Sequence, residues 1–268
     1  MTSDVTLSVV IPAWREAARL PFSIPPLRAA LERLGLPFEV LLIVAQSDDD
    51  TLAVARACTR DCANWTVVDL GPRRGKGHAV RTGIRLAQGE FIFFLDADLS
   101  TDPEAIARFV IHFQLNPSHH VLIANRHHPE SVLVREQSRF RRFASRSFNR
   151  VVQSAFHLPV ADTQCGFKAF RREAAHAIFA RQSLDGFAFD VEVLLLARAL
   201  GFAIRDLPVR WTDHSRSTLS LWQDGPRIAG DLLRLFHAMR RGKFRRPPVP
   251  PPATSPAGRF ERPLSERD

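Results

Sequence analysis

Two carboxylates one residue apart, Asp96 and Asp98, close the apolar run in FIFFLDADLSTDPE at residues 91–104. Like charges held that close repel, so a D-x-D pair either stands in water as a polar turn or meets a cation. Mg²⁺ and Mn²⁺ suit such oxygens, because both accept carboxylate ligands and commonly bridge them to substrate phosphates. A second segment, RRGKGHAVRTG at 73–83, sets Lys76 between two glycines just ahead of a helical pattern. Backbone amides and an ammonium could face a phosphate there, although an ordinary loop and helix start reads the same way. The spacing of a Walker A loop is absent. Arg135, Arg139, Arg142, Arg146 and Arg150 recur at helical spacing within 131–156, which predicts a basic stripe on one helix face, either solvated or a binding surface. Asp190 opens the apolar helical segment FDVEVLLLARAL.

Positions for these residues follow from the elements around them. Runs rich in Val, Ile and Phe recur at 7–13, 38–45, 65–70, 91–96 and 121–125, and helical patterns fall between them at about 22–34, 49–62, 76–88 and 103–115. Short strands buried on both faces and alternating with helices predict an α/β domain with a mainly parallel sheet. Ligands in such sheets lie at the carboxyl ends of the strands, where Asp96 and Asp98 stand. Thr101 or Asp102 is the expected cap of the next helix, with Pro103 and Glu104 in its first turn. FAIRDLPVRW at 202–211 reads as a further strand. The segment 226–241 reads as an amphipathic helix, with Ile228, Leu232, Leu235, Phe236 and Met239 on one face and Arg227, Arg234, Arg240 and Arg241 off it. It suits packing on the domain or lying on an anionic bilayer equally well. The Pro-rich run beyond Arg246 predicts a disordered tail over 247–268.

Composition bounds the remaining choices. With 268 residues, 45% of them hydrophobic, the chain can bury a substantial core. Its net charge of +9 favours phosphate-bearing partners or an anionic surface. Cys58, Cys62 and Cys165 lack the repeated paired spacing of a zinc site, which favours a reducing compartment, and Cys58 and Cys62, one helical turn apart, read as half-buried small residues. No run approaches 18 apolar residues and no signal-peptide pattern opens the chain, so the expected setting is cytoplasmic, in solution or peripheral on a membrane.

Five blocks in order, SVVIPAWREAARLP, RGKGHAVRTGI, FFLDADLSTDPEAI, DTQCGFKAFRREAA and FAFDVEVLLLARALGFAIRDLPVRWTD, resemble the family 2 glycosyltransferases of the GT-A fold. Within that family the likeness is greatest to dolichyl-phosphate β-glucosyltransferases, and it extends to dolichyl-phosphate mannose synthases. It runs from about residue 6 to residue 243. The resemblance implies a Rossmann-like catalytic domain over 1–225, followed by the basic helix at 226–246. It also implies inverting transfer of a hexose, glucose favoured, from a nucleotide diphosphate sugar to a polyprenyl phosphate, aided by Mg²⁺ or Mn²⁺. Asp96 and Asp98 fall on the family's metal and diphosphate motif. Pro12, Ala13, Glu16, Arg74 and Lys76 fall on its donor-binding segments, with Gln46 at the end of the second strand. Asp162, Gln164 and Gly166 belong to the block that closes over sugar and acceptor, and Asp190 to the place of a catalytic carboxylate. Arg126 and one or more of Arg139, Arg141 and Arg142 match positions that serve an acceptor phosphate, and Arg216 is the candidate substitute for a phosphate-facing Lys of the family. A phosphate monoester has a second pKa near 6, so for that acceptor Asp190 need only position groups.

The chain departs from the family at the second strand, where the usual V-D-D-G-S gives way to Val44, Ala45, Gln46 and Ser47, and Arg216 to Leu219 replace the usual G-S-K-L. Two other readings stand beside the membrane transferase: transfer to a soluble phosphorylated or hydroxylated acceptor, and a basic nucleic-acid-binding module. No aromatic platform interleaves with the arginines, and the gathered carboxylates would repel a nucleic acid, so no nucleic-acid partner is expected.

Overall fold

The five apolar runs become strands within a residue or two of their expected limits. A computed structural model of the chain describes residues 5–135, 139–213 and 221–244, and their side chains except at 135–146 and 221–224. β1 (Leu7–Ala13), β2 (Phe38–Val44), β3 (Trp65–Asp69), β4 (Phe91–Leu95) and β5 (His119–Asn125) alternate with α1 (Leu20–Arg33), α2 (Thr51–Thr59), α3 (Lys76–Leu86) and α4 (Ala105–Leu115). The chain continues through β6 (Val132–Arg135), α5 (Arg139–Phe156), β7 (Phe167–Arg171), α6 (Arg172–Phe179), α7 (Phe189–Ala199), β8 (Ala203–Pro208), β9 (Arg210–Thr212) and α8 (Leu221–Arg240).

The main sheet has the order β3-β2-β1-β4-β7-β5-β8, and β7 alone is antiparallel to its neighbours. Helices cover both faces, so the strands carry apolar residues at successive positions. Along β4, Phe91, Phe93 and Leu95 enter one core cluster with Leu27 and Phe109, whereas Ile92 and Phe94 enter the other with Val80, Phe189 and Leu195. Burying each such phenylalanine contributes about 1.5–3 kcal/mol. The strand order reverses at β1: the chain runs outward to β3 and then returns to lay β4 on β1's other side. A reversal of this kind opens a crevice outside the strand ends. Those ends are followed at once by Trp14 to Glu16 and by Asp96 to Asp98.

Four local expectations change. The segment 131–156 is not one helix: Arg135 ends β6, and only the later arginines of the stripe lie on α5. β6 pairs with β9, which replaces the end of the single strand expected at 202–211. Proline lacks an amide to continue the ladder, and after Pro208 the Val209 amide turns to Ser131 Oγ at 3.0 Å. Thr101 does not cap α4; it bridges to Trp211, while the Asp102 carboxylate accepts the Glu104 amide at 3.0 Å and the helix begins at Ala105. α8 starts at Leu221, ahead of the expected 226, and its apolar face packs on the domain. Leu235 is buried, and the Phe236 ring meets Phe156 edge-on at 6.3 Å. The expected tail at 247–268 lies outside the described residues.

Candidate active site

β4 and β7 build the centre of the crevice together. Their antiparallel register sets Leu95 opposite Phe167, and the Asp96 amide donates to the Gly166 carbonyl at 3.0 Å. Gly166 therefore lies directly against the Asp96 carboxylate, and a Cβ added there would fall inside it. Asp96 Oδ1 also pairs with Lys76 Nζ at 2.6 Å, at the first residue of α3. Asp98 lies on a tight turn in which its Oδ1 accepts the Ser100 amide at 3.0 Å and Leu99 adopts a left-handed φ of 48°. That conformation costs a leucine on the order of 1–2 kcal/mol. The packing of Leu99 against the first core cluster holds it there.

Glu16, after β1, completes the acidic rim. Burial pushes its carboxyl up to about 7, with Asp98 and Asp96 adding to the rise, against the pull of the Arg19 guanidinium. Arg19 Nη1 donates to both Glu16 oxygens at 2.8 Å. Burial draws the Lys76 ammonium down, but Asp96 and Asp190 outweigh it and hold it above the ordinary lysine range. Among the described residues no cluster of three or more His, Cys, Asp or Glu side chains is arranged to hold a metal ion. Asp96 and Asp98 are the two hard oxygen donors that could hold a cation there, with water and substrate phosphate completing its shell.

Asp190 is only 2% exposed, and its Oδ1 is taken up by the buried Lys168 Nζ at 2.5 Å. Burial raises its carboxyl, opposed by Lys168 and Lys76. Lys168 also donates to the Cys165 carbonyl at 2.8 Å, tying the turn that presents Gly166 to α7. Both ammonium groups lie near the Phe94 ring, Lys76 at 5.5 Å and Lys168 at 5.3 Å from its centroid. The sequence reading did not single out Lys168; its signal was a lysine inside the otherwise apolar FKAF.

Arg126 and Asp162, expected in different roles, form one pair. Nε and Nη2 of Arg126 donate to Asp162 at 2.6 and 2.8 Å. Burial would raise the Asp162 carboxyl, but the guanidinium outweighs it and holds it at about 2. Trp211 lies beneath Arg126, its ring centroid 5.5 Å from the guanidinium. Burial pushes the adjacent Cys165 thiol up to about 11, which leaves it protonated and inert. Gln164 Nε2 is buried without a hydrogen-bond partner among the described residues.

The remaining expected residues are spread around the rim. Pro12 and Ala13 belong to β1 itself, with Ala13 in the core. They aim Trp14, whose ring carries Arg73 at 3.8 Å and Arg15 at 4.6 Å. Gln46 is exposed at the end of β2, and its amide donates to the Gly71 carbonyl. The acids beyond it serve the loop: Asp48 accepts two bonds from Arg15 at 2.6 Å, and Asp49 accepts Ser47, Thr51 and the Ala17 amide. Arg74 pairs with Asp185 at 2.9 Å. Arg139, Arg141 and Arg142 lie on α5, and their side chains, like all of Arg216, lie outside the described residues.

Known proteins resemble the chain over most of its length. The model of glycosyl transferase family 2 matches residues 8–179. A dolichyl-phosphate β-glucosyltransferase of Drosophila melanogaster is 33% identical over 90% of this chain and 78% of its own length. The enzyme of the same name from Homo sapiens is 32% identical over 85% of this chain and 74% of its own. Among solved structures, mannosyl-3-phosphoglycerate synthase from Rubrobacter xylanophilus superposes with a TM-score of 0.65 at 20% identity, covering 91% of this chain and 77% of that one. Glucosyl-3-phosphoglycerate synthase from Mycobacterium tuberculosis, in complex with Mn²⁺, UDP and phosphoglyceric acid, superposes with a TM-score of 0.64 at 19% identity, covering 87% of this chain and 78% of that one. The fold is the GT-A fold, and the chain belongs to glycosyl transferase family 2 and is a glycosyltransferase.

Proposed function

We propose that the protein transfers a hexose, glucose in the first instance, from a nucleotide diphosphate sugar to a polyprenyl phosphate with inversion at the anomeric carbon. The observation that carries this is the meeting of Asp96, Asp98 and Lys76 at the reversal point of the sheet, in a chain whose similar enzymes carry dolichyl phosphate in their names. Asp96 and Asp98 would hold Mg²⁺ or Mn²⁺, and a cation bound there supplies neutralising charge to the departing diphosphate. Lys76 adds an ammonium on the same side, and Gln164 contributes an unused amide donor to the sugar side. Trp14 and Gln46 border the place for the nucleoside, together with Pro12, Ala13 and Glu16.

A phosphate oxygen of the acceptor attacks the anomeric carbon from the face opposite the diphosphate. The new carbon–oxygen bond forms as the old one breaks, and the electron pair leaves with the nucleoside diphosphate. A phosphate monoester is already largely ionised at pH 7, so no base is needed to generate the nucleophile. Asp190, held by Lys168, fits that requirement because its work is to order the site. Among the described contacts Arg126 spends Nε and Nη2 on Asp162, which leaves its Nη1 donors for the acceptor phosphate. Arg139, Arg141 and Arg142 on α5, with Arg216, would extend that cationic path.

The acceptor's setting is the surface of a membrane. No helix among the described residues is long and apolar enough to cross one. On α8, however, Arg227, Arg240 and Arg234, the last paired with Asp231 at 3.2 Å, are exposed, as is Leu233 at 59%, and on α5 Arg150 is exposed next to Val151 at 65%. Apolar side chains set among cations suit the interface of an anionic bilayer. A thermal-shift panel of nucleotide diphosphate sugars with and without Mn²⁺ tests the donor side. A Mn²⁺-dependent shift that disappears in Asp98→Ala supports the assignment, and an undiminished shift in that variant would mean the D-x-D pair is structural.

A further inference from the structure

We propose that Glu192 is a positioning residue for the donor, acting through the segment 182–186 on Lys76; the inference rests on the nucleotide-sugar reading above. Glu192 lies in the first turn of α7 and is 1% exposed. Its carboxylate accepts the Ser183 amide at 3.0 and 3.1 Å, the Ser183 hydroxyl at 2.6 Å and the Leu184 amide at 2.8 Å. All of these donors are neutral and all belong to the segment between α6 and α7. A buried carboxylate satisfied in this way fixes the backbone it binds, because releasing any donor leaves charge and amide uncompensated.

The far side of the segment grips the start of α3. Asp185 accepts Arg74 at 2.9 Å and Arg81 at 2.6 Å, its carbonyl accepts the His78 amide at 3.2 Å, and Arg81 reaches the Gln182 carbonyl at 3.2 Å. Gly75, at a φ of 142°, lies in backbone contact with Asp185, and a Cβ there would collide with the Asp185 carbonyl. Lys76 follows directly, with its ammonium on Asp96. A continuous set of contacts therefore runs from Glu192 through Ser183 and Asp185 to the one cation beside the D-x-D pair among the described ion pairs. No part of it touches Arg126, Asp162 or α5 in the described contacts, so its effect belongs to the donor half of the site.

Steady-state kinetics of Glu192→Gln against both substrates, with UDP and GDP binding in Mn²⁺ measured by calorimetry, provide the test. The Gln side chain replaces one acceptor oxygen by a donor facing the Ser183 and Leu184 amides, which cannot accept it, a change of the kind that costs about tenfold or more in affinity. The expected result is a donor KM and nucleotide Kd raised by about that factor, with kcat and acceptor KM within about twofold of the wild type. Core variants Ile178→Val and Phe179→Leu, chosen to match its loss of melting temperature, should leave donor KM unchanged. Equal nucleotide binding by wild type and Glu192→Gln, or a donor KM that moves equally in the core variants, would overturn the inference alone. A wild type that binds neither nucleotide would overturn the donor reading together with it.

Discussion

At the scale of single residues, the site depends on how closely uncharged backbone can approach a carboxylate. Gly166 is the one residue type that fits against Asp96, so Gly166→Ala should displace that carboxylate and lower kcat/KM by about a hundredfold, the effect of roughly 1 Å of misplacement. Near-wild-type turnover in that variant would show that Asp96 is free to move. Lys168 and Asp190 make the opposite case, a charge pair removed from water. Lys168→Met strands the Asp190 carboxylate at a cost of about 3–5 kcal/mol, read as a melting temperature lower by about 10 °C. Adding Asp190→Leu should recover most of that loss, and a double variant no more stable than the single one would contradict the pairing. Asp96 and Asp98 were legible in the sequence because a strand end and a helix start bracket them. Lys168, Asp185 and Glu192 were not, because what defines them is partners brought close by folding, such as Arg74, 111 residues from Asp185.

At the scale of elements, β1, β2, β4 and β5 were legible because most of their residues are buried and apolar, and the edge strand β3 because Val67 and Val68 follow Trp65 between two helical patterns. β7 was not, since FKAFR carries Lys168 and Arg171, and its insertion between β4 and β5 is a long-range pairing. β6 was hidden inside a helical arginine pattern that continues across it. The Arg126–Asp162 pair joins the end of β5 to the turn before β7, and its titration reports that joint. Asp162 sits at about 2 against an ordinary value of 3.8. A depressed carboxyl stabilises the fold above its unfolded pKa and loses that contribution as pH falls through the folded one, here about 2 kcal/mol lost between about pH 4 and pH 2. Denaturant titrations from pH 5 to pH 2 should therefore show a steeper fall for the wild type than for Asp162→Asn. Parallel curves would mean that the pair does not hold the joint.

At the scale of the whole molecule, Asp96, Asp98 and Lys76 stand where the sheet order reverses, while α5 and α8 present exposed cations and exposed apolar side chains. If that surface meets a membrane, Arg227→Glu combined with Arg234→Glu should abolish co-sedimentation with anionic vesicles while leaving nucleotide affinity unchanged, and the wild-type interaction should weaken with salt. Retained binding in the double variant would place the contact elsewhere. Transfer of labelled glucose from UDP-glucose to a polyprenyl phosphate in anionic vesicles with Mn²⁺, measured for the wild type and Asp98→Ala, tests the proposed reaction itself. The wild type should form a lipid-linked β-glucosyl phosphate and the variant none. Label appearing only on a soluble phosphorylated acceptor, or an undiminished yield from Asp98→Ala, would contradict it.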